Sequence, residues 1–336
     1  MKKVLVLLLV FASAVCMVAC SRVVSITPDQ MTAAETERST TQSESEQTEA
    51  AVPTEDKPSF DPYVTENDYD PDPALFERQS GTDYGTLITD AEYYSTTAGD
   101  NKRFNILLPP GYDENGAYPV LYMIHGWGGS YAAHLYDGSY LHMLYGNLYR
   151  DGNAEPMMIV GVDMYTGKQD VKESLDGWQL REAYDRTVDD IAVDLLPYIR
   201  ENFAVAEGRE NTAVAGVSEG GAKSICTGFS WLDKIGYIGG FAPDGNVIPI
   251  GEYYSGSYWT IPYFDTLPQP TDDNMPLYLY LAVGSEDPYN IYSTGYYSEV
   301  FDGMGIRHQY DYVEGFGHDS GFWRVCMYNY LRKIFK

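Results

Sequence analysis

The fold of this chain is decided by residues 212–221, which read TAVAGVSEGG. The apolar run 212–215 predicts a strand, and a helical pattern begins shortly after the glycines. A serine between glycines on a sharp strand-to-helix turn is typical of a nucleophile elbow, which would expose the Ser218 hydroxyl on strained backbone. Gly216 and Gly220 are needed because a side chain at either position would collide with the neighbouring strand or helix. With 32 glycines in the chain, this spacing alone is a weak signal, so other segments must decide.

A histidine follows the last predicted strand, 309–313, in the glycine-rich loop EGFGHD. From the end of that strand His318 can approach Ser218 and act as its general base. A histidine that stands alone on a loop is by default a structural residue, hydrogen-bonded to the backbone. The assignment of His318 therefore depends on the residues that accompany it.

The acid of such a site is expected after the penultimate strand, 277–283, where Asp287 lies in the loop GSEDP. The chain order serine, aspartate, histidine is the one that accompanies a nucleophile elbow. Two rival acids stay open, since Asp244 also follows a predicted strand and Glu286 adjoins Asp287. The strand position favours Asp287.

A second glycine-rich loop, HGWGG at residues 125–129, follows the predicted strand 119–124. Glycines at such a place let backbone N–H groups face a reacting carbonyl. We assign the two oxyanion donors to the N–H groups of Trp127 and Glu219. His125 is assigned a bracing role in the loop, without proton transfer. Three such elements, in this order and on these strand ends, predict a serine hydrolase that needs no metal and no cofactor.

Five short motifs carry a resemblance to a known family. They are YYSTTAG (93–99), LLPPGY (107–112), IHG (124–126), AVAGVS (213–218) and GHD (317–319). From about residue 86 to its end, the chain resembles the feruloyl esterase and acetyl xylan esterase family. That family is carbohydrate esterase family 1, which is related to esterase D.

The resemblance implies an α/β-hydrolase fold, a triad of Ser218, Asp287 and His318, and hydrolysis of feruloyl or acetyl esters on plant cell-wall polysaccharide. One position departs from the family, in which the residue after the nucleophile is often Met. Here that residue is Glu219. A carboxylate beside a forming oxyanion is unfavourable unless it points away or is paired, so activity requires one of these two arrangements.

Predicted strands alternate with predicted helices along the folded region. The strands are at 104–108, 119–124, 157–162, 212–215, 235–241, 277–283 and 309–313, and the helices are at 187–202, from 223 onward and at 322–335. Such alternation predicts a mostly parallel sheet with helices on both faces, which is the α/β fold class. Apolar residues make up 44% of the chain, enough for a large core.

The chain divides into three predicted segments. Residues 1–20 combine two lysines, an apolar run and the sequence MVAC, which predicts the signal peptide of a bacterial lipoprotein with a lipidated Cys20. An ordinary secretory signal is the alternative. Residues 21–74 are acidic and rich in Ser, Thr and Glu, which predicts a disordered tether, and 75–336 form the esterase domain. We expect export and attachment to the membrane at the bacterial cell surface through the lipid only, because no later apolar run reaches the roughly 18 residues of a membrane span.

Charge and residue spacing exclude several other functions. With 22 Lys and Arg against 49 Asp and Glu, the formal net charge is −27, and no basic cluster offers a nucleic-acid site. Three histidines, His134, His142 and His308, lack ligand spacing with Cys or carboxylates and are interpreted as ordinary structural residues. Cys226 and Cys326 lie on predicted helices and are expected to be buried free thiols, with a bridge between them left open.

Aromatic residues are dense at 251–259, which reads GEYYSGSYW. Because aromatic faces stack on sugar rings and phenolic acids, Tyr258 and Trp259 are candidates for substrate binding. A surface loop packed by its own aromatic side chains is an equal alternative.

Two alternative functions accompany the prediction of a carbohydrate esterase. One is another acyl-ester hydrolase or acyltransferase of the same fold, such as a siderophore esterase or an S-formylglutathione hydrolase-like enzyme, the latter disfavoured by export. The other is a catalytically silent lipoprotein that binds glycans through its Tyr-rich surface, which is motivated by Glu219.

Overall fold

The computed structural model describes residues 60–251 and 261–336 of the chain. Within these ranges eight strands form one sheet, in the spatial order β1-β2-β4-β3-β5-β6-β7-β8. They are β1 (Thr86–Ser95), β2 (Asp100–Leu108), β3 (Val120–Ile124), β4 (Met158–Val162), β5 (Thr212–Val217), β6 (Tyr237–Phe241), β7 (Tyr278–Gly284) and β8 (Gln309–Val313). Strand β2 pairs antiparallel with β1 and β4, and β3 to β8 run parallel. The loops after β3 to β8 therefore meet at one edge of the sheet.

Helices cover both faces of this sheet. They are α1 (Tyr140–Arg150), α2 (Gly177–Asp185), α3 (Thr187–Asp190), α4 (Leu196–Asn202), α5 (Glu219–Ser230), α6 (Ile291–Gly303) and α7 (Ser320–Leu331). Helices α2 to α6 pack in one core cluster, whereas α1 and α7 pack in the other. The predicted α/β fold class is confirmed.

Side chains of a strand alternate between the two cores because successive residues point to opposite faces. In β3, Val120, Tyr122 and Ile124 belong to the core under α2 to α6, and Leu121 and Met123 belong to the core under α1 and α7. All five are buried. An apolar run without polar alternation is thus what a strand covered on both faces requires.

All seven predicted strands are present, with boundaries that move by a few residues. The predicted helix at 187–202 is a continuous helical segment in which one π-helical turn, Ile191–Leu195, joins α3 to α4. Pro197 lies in the first turn of α4. Because proline has no N–H to donate to the preceding turn, the regular hydrogen-bond ladder is interrupted there.

Four elements were missed from the sequence, namely β1, α1, α2 and α6. Strand β1 is a partly exposed edge strand with a register shift between Ile88 and Ala91, so its apolar residues do not alternate regularly. Helix α6 reads IYSTGYYSEVFDG, which is rich in residues of modest helix propensity. Helix α6 is stabilised by the burial of Tyr297 and Phe301 in the core rather than by intrinsic helix propensity.

The predicted start of the folded domain at residue 75 was wrong, because residues 60–74 already pack on it. The Tyr63 hydroxyl accepts from the backbone N–H of Leu279 at 2.9 Å. The hydroxyl groups of Tyr69 and Tyr280 are 2.8 Å apart. Although the composition of residues 60–74 is acidic, their aromatic side chains supply apolar surface that packs on the domain. The proposed signal peptide, and the tether up to residue 59, lie outside the described residues.

The two cysteines of the described domain, Cys226 and Cys326, are buried free thiols, as expected. Within the same residues, no helix combines the length and the apolar character that a membrane span requires.

Candidate active site

Ser218 occupies the turn between β5 and α5 with φ 56° and ψ −125°. This left-handed region is unfavourable for a residue with a side chain, at a typical cost of about 1–3 kcal/mol. The turn is possible because two glycines flank it. A Cβ on Gly220 would lie 2.2 Å from the backbone oxygen of His125, and a Cβ on Gly216 would lie 2.3 Å from that of Gly220. Close packing therefore holds the strained serine in place.

His318 and Asp287 form a hydrogen-bonded pair at the ends of the two last strands. The distance between His318 Nδ1 and Asp287 Oδ2 is 2.7 Å. The other carboxylate oxygen accepts from the backbone N–H groups of Tyr289 at 2.8 Å and Asn290 at 2.9 Å. Burial raises the pKa of Asp287, but these hydrogen bonds outweigh it and hold the pKa below its usual value. The pair is thus an ionised acid that fixes an imidazole.

Aromatic side chains set the orientation of the imidazole ring. The Trp323 ring meets it edge-on at a centroid distance of 4.9 Å, and the Tyr289 ring does so at 5.4 Å. The His318 side chain keeps 18% exposure, whereas the Asp287 side chain is fully buried. One edge of the ring stays accessible while its partner is shielded from water.

Ser218 and His318 line one cavity of about 480 Å³. Its wall also includes Trp127, Tyr289 and Asp244, and most of the wall is apolar. Neither of the two rival acids, Asp244 and Glu286, is the partner of His318 Nδ1. The Ser218 hydroxyl donates to Asp244 Oδ1 at 3.2 Å, and Glu286 is exposed to solvent.

The loop after β3 is braced by a buried histidine. His125 Nε2 accepts from the backbone N–H of Met164 at 3.0 Å, so Nδ1 carries the proton and donates to the Gly126 oxygen at 2.6 Å. These contacts agree with the bracing role predicted for His125. Trp127 of the same loop packs edge-on against Tyr184 at 4.9 Å, which holds it at the cavity wall.

Glu219 begins helix α5, and its carboxylate is completely buried away from the cavity. It accepts from Arg181 Nη1 at 2.9 Å and from Asn246 Nδ2 at 2.6 Å, and Lys223 Nζ lies at 3.2 Å. Burial raises its pKa, but Lys223 and Arg181 outweigh this and lower the pKa to about 2. The carboxylate is thus paired, which is one of the two arrangements that the sequence requires for activity.

Several contributors to the site were not predicted. Lys223 stands four residues after Glu219 on one helix, a spacing that could have revealed the pair. Arg181 arrives from α2, a helix that the sequence did not predict. Predicted substrate residues Tyr258 and Trp259 lie outside the described residues.

The remaining histidines take part in ordinary contacts. His308 Nε2 lies 2.7 Å from the Ser298 hydroxyl, and His142 Nε2 lies 3.1 Å from the Tyr84 oxygen. Burial lowers the pKa of His134 to about 4. Over the described ranges, no group of three or more His, Cys, Asp and Glu side chains is arranged to hold a metal ion.

A family model described as "Putative esterase" matches residues 95–320, well over half of the chain. The chain therefore belongs to this Esterase family. The matched region includes Ser218, Asp287 and His318. The enzyme class predicted from the sequence, an esterase, is confirmed at the level of the family.

Similar proteins include an endo-1,4-beta-xylanase/feruloyl esterase of Xylanibacter ruminicola. It is 25% identical over 254 residues, which is 74% of this chain. The chain spans only 31% of the length of that relative.

Solved structures with the same fold include a carbohydrate esterase family 1 ferulic acid esterase from Anaeromyces mucronatus in complex with ferulic acid. Its TM-score is 0.71 at 28% identity, over 81% of this chain and 98% of that one. A mutant feruloyl esterase module from Clostridium thermocellum, complexed with sinapinate, matches at TM-score 0.57 and 16% identity over 81% of this chain and 94% of that one. The latter likeness concerns the fold alone. The α/β-hydrolase fold and the resemblance to carbohydrate esterase family 1 are confirmed.

The buried charge cluster of Glu219, Arg181 and Lys223 leads to a prediction about the stability of the fold. Arg181→Met should lower the free energy of unfolding by about 3 kcal/mol, because it removes a principal partner of a buried carboxylate. Arg103→Met is the matched control, since Arg103 pairs with Glu92 at an exposed site and should cost less than about 1 kcal/mol. Urea denaturation measures both values. Equal losses in the two variants would contradict the importance of the cluster.

Proposed function

We propose that this domain is a serine carboxylic-ester hydrolase with Ser218 as nucleophile, His318 as general base and Asp287 as the acid that orients it. One observation carries the proposal. A serine on strained backbone at the start of a helix shares a cavity with an imidazole whose far nitrogen is held at 2.7 Å by an ionised aspartate. This combination matches the requirements of nucleophilic catalysis in esterases.

Acylation begins when the Ser218 hydroxyl turns toward His318 and attacks the ester carbonyl carbon. His318 takes the hydroxyl proton on Nε2, and Asp287 stabilises the imidazolium through Nδ1–H. The carbonyl oxygen becomes an oxyanion, and the backbone N–H groups of Trp127 and Glu219 are its proposed donors. His318 then gives the proton to the departing sugar alcohol, which leaves an acyl-enzyme.

Deacylation repeats these steps with water as the nucleophile. His318 removes a proton from the water while the water oxygen attacks the acyl carbon. The tetrahedral intermediate collapses, the carboxylic acid leaves, and Ser218 recovers its proton from His318. The cycle needs no metal and no cofactor.

The proposed substrate is a feruloyl or acetyl ester of plant cell-wall polysaccharide. Support comes from the similar proteins, which include ferulic acid esterases. The cavity of about 480 Å³ falls within the range of sites for small organic ligands. The rings of Trp127 and Tyr289 on its wall suit a flat phenolic acid better than an acetyl group, so we favour the feruloyl ester.

The silent glycan-binding alternative loses its motivation, since the Glu219 carboxylate is buried among cationic and amide partners. The N–H of Glu219 can donate without bringing that charge into the cavity. Another ester substrate for the same triad remains the competing function, and a substrate panel separates the two.

Ser218→Ala should lower kcat/KM for methyl ferulate by roughly 10⁴-fold or more, because no other group replaces the attacking oxygen. Asp287→Asn should lower it by roughly 10³–10⁴-fold, because the imidazole loses its orientation. Ser174→Ala, on the protein surface, is the matched control. Hydrolysis of methyl ferulate by Ser218→Ala at the wild-type rate would contradict the proposed mechanism.

The substrate proposal is tested with wild type and Trp259→Ala on methyl ferulate, acetylated xylan and a p-nitrophenyl ester. If Trp259 contacts the phenolic acid, the variant should lose about tenfold on methyl ferulate while keeping its rate on the acetyl esters. Unchanged kinetics on all three substrates would remove Trp259 from the binding site. A wild-type preference for acetyl esters would overturn the feruloyl assignment.

We also propose that the protein is exported and attached to the bacterial membrane through lipid on Cys20. The support is the sequence of residues 1–20, in which MVAC ends the apolar run. Cys20→Ser should move the protein from the membrane fraction to the soluble fraction, as detected by immunoblot. Equal membrane association of both forms would contradict the anchor.

A further inference from the structure

Helix α6 begins directly beside the proposed triad acid. The backbone N–H groups of Tyr289 and Asn290 both donate to Asp287 Oδ1, and Asn290 is the N-cap of α6. The first turn of the helix forms part of the cavity wall, to which Ser293 contributes. The start of α6 is thus tied to the same carboxylate that orients His318.

The alcohol part of an ester substrate must lie beside His318. In the proposed mechanism His318 gives its proton to the departing oxygen, so the sugar that carries this oxygen leaves the cavity next to the imidazole. Two aromatic rings, those of Tyr289 and Trp323, meet the imidazole edge-on. Trp323 is only 8% exposed, whereas Tyr289 lines the cavity and is 69% exposed. The side of the imidazole that is open to a sugar is therefore the Tyr289 side.

Two further tyrosines follow Tyr289 along the outer face of α6. Tyr292 is 50% exposed and Tyr296 is partly exposed, whereas Tyr297, on the opposite face, is buried in the core. A spacing of four residues places Tyr292 and Tyr296 on the same side of a helix. Their ring centroids are 6.3 Å apart and their ring planes differ by only 17°. We call the side chains of Tyr289, Tyr292 and Tyr296 the tyrosine strip.

The tyrosine strip is uncharged, although the protein is strongly acidic. Residues 288–298 read PYNIYSTGYYS and contain no Asp, Glu, Lys, Arg or His, whereas the whole chain carries a formal net charge of −27. A charged polymer would find no ion-pair partner within this stretch. Exposed aromatic surface beside a cavity is typical of a binding site. Tyrosine rings and hydroxyl groups without charge suit the C–H faces and hydroxyl groups of a neutral sugar chain.

We propose that the tyrosine strip binds the glycan strand that carries the ester, and that this strand is an uncharged polysaccharide running from the cavity along α6. The ester bond then lies at Ser218, and the sugar rings next to it stack on the tyrosines. Continuity supports this occupant, because the tyrosine strip starts at the cavity wall, beside the imidazole that protonates the sugar oxygen. The inference rests on the proposed esterase function and adds the part of the protein that recognises the glycan.

A polymeric ester and a methyl ester share the cavity but differ in their use of the tyrosine strip. The alcohol part of methyl ferulate is a single carbon, which cannot extend along α6 to Tyr292 and Tyr296. The ratio of kcat/KM on feruloylated arabinoxylan oligosaccharides to kcat/KM on methyl ferulate therefore separates glycan binding from the action of the triad.

Tyr292→Ala should lower this ratio roughly tenfold, because a stacking contact with the sugar chain is lost. The loss should lie in KM for the oligosaccharide rather than in kcat, since the contact is made equally in the ground state and the transition state. Tyr292→Phe keeps the ring and should keep most of the ratio. Tyr94→Ala is the matched control, since Tyr94 is 63% exposed on β1, at the opposite edge of the sheet from β8.

A binding measurement tests the tyrosine strip without catalysis. Ser218→Ala should migrate more slowly in a native gel that contains arabinoxylan freed of its esters than in a gel without polymer. Adding Tyr292→Ala to Ser218→Ala should restore most of the mobility, and adding Tyr94→Ala should not. Because Tyr292 is half exposed, its replacement leaves the core intact.

The outcomes separate the inference from the proposed function. An unchanged ratio in Tyr292→Ala, or migration of Ser218→Ala that the polymer does not slow, would overturn the tyrosine strip while leaving the triad intact. If Tyr292→Ala instead converts a dimer into a monomer in size-exclusion chromatography, with the ratio unchanged, this face is a contact between two copies of the chain. Equal kcat/KM on a feruloylated polygalacturonate, which is anionic, would contradict the preference for an uncharged glycan. Failure of the wild type to hydrolyse either ferulate substrate would refute the proposed function itself.

Discussion

Two backbone segments approach each other so closely at the carboxyl edge of the sheet that a side chain cannot fit between them. A Cβ on Gly220 would lie 2.2 Å from the backbone oxygen of His125. This contact brings the start of α5 against the loop after β3. It thereby places the strained Ser218 beside the loop that carries Trp127. The position of the nucleophile and of its proposed oxyanion donors depends on this single close approach.

The residue that follows the nucleophile adds an electrostatic constraint. A carboxylate at the first position of α5 is favoured by the helix dipole, but it would harm a reaction that develops negative charge nearby. Arg181 and Lys223 neutralise Glu219 on the buried side of the turn. Asp244 lies on the cavity side of the turn, where it accepts from the Ser218 hydroxyl. Pairing therefore makes an acidic residue compatible with the proposed chemistry.

Much of the candidate site could be predicted because its residues follow strands. Ser218, Asp287 and His318 each lie in a loop directly after a parallel strand, and such loops converge at one edge of the sheet. Arg181 could not be predicted, and Asp244 was considered only as a rival acid of the triad, without its contact to Ser218. Their contacts depend on how α2 and the loop after β6 pack, which no local sequence pattern specifies.

The fold was predictable where apolar runs are long and uniform, and less so elsewhere. Strands β3 to β7 are buried along their whole length, whereas the edge strand β1 mixes polar and apolar residues. The segment at 60–74 resembles a tether by composition. Its Tyr63 and Tyr69 side chains nevertheless dock on β7 and β8, and the backbone N–H of Asp68 donates to Asn329 of the last helix. Composition is averaged over a window of residues, so it does not reveal a few aromatic residues that pack on the domain.

The most direct test of the account is a crystal structure of the protein after reaction with an aryl phosphonate that mimics the tetrahedral intermediate. We predict a covalent bond from phosphorus to Ser218 Oγ, with the phosphonyl oxygen accepting from the N–H groups of Trp127 and Glu219. His318 Nε2 should then contact the oxygen of Ser218. An adduct on another residue, or a phosphonyl oxygen directed away from both N–H groups, would contradict it.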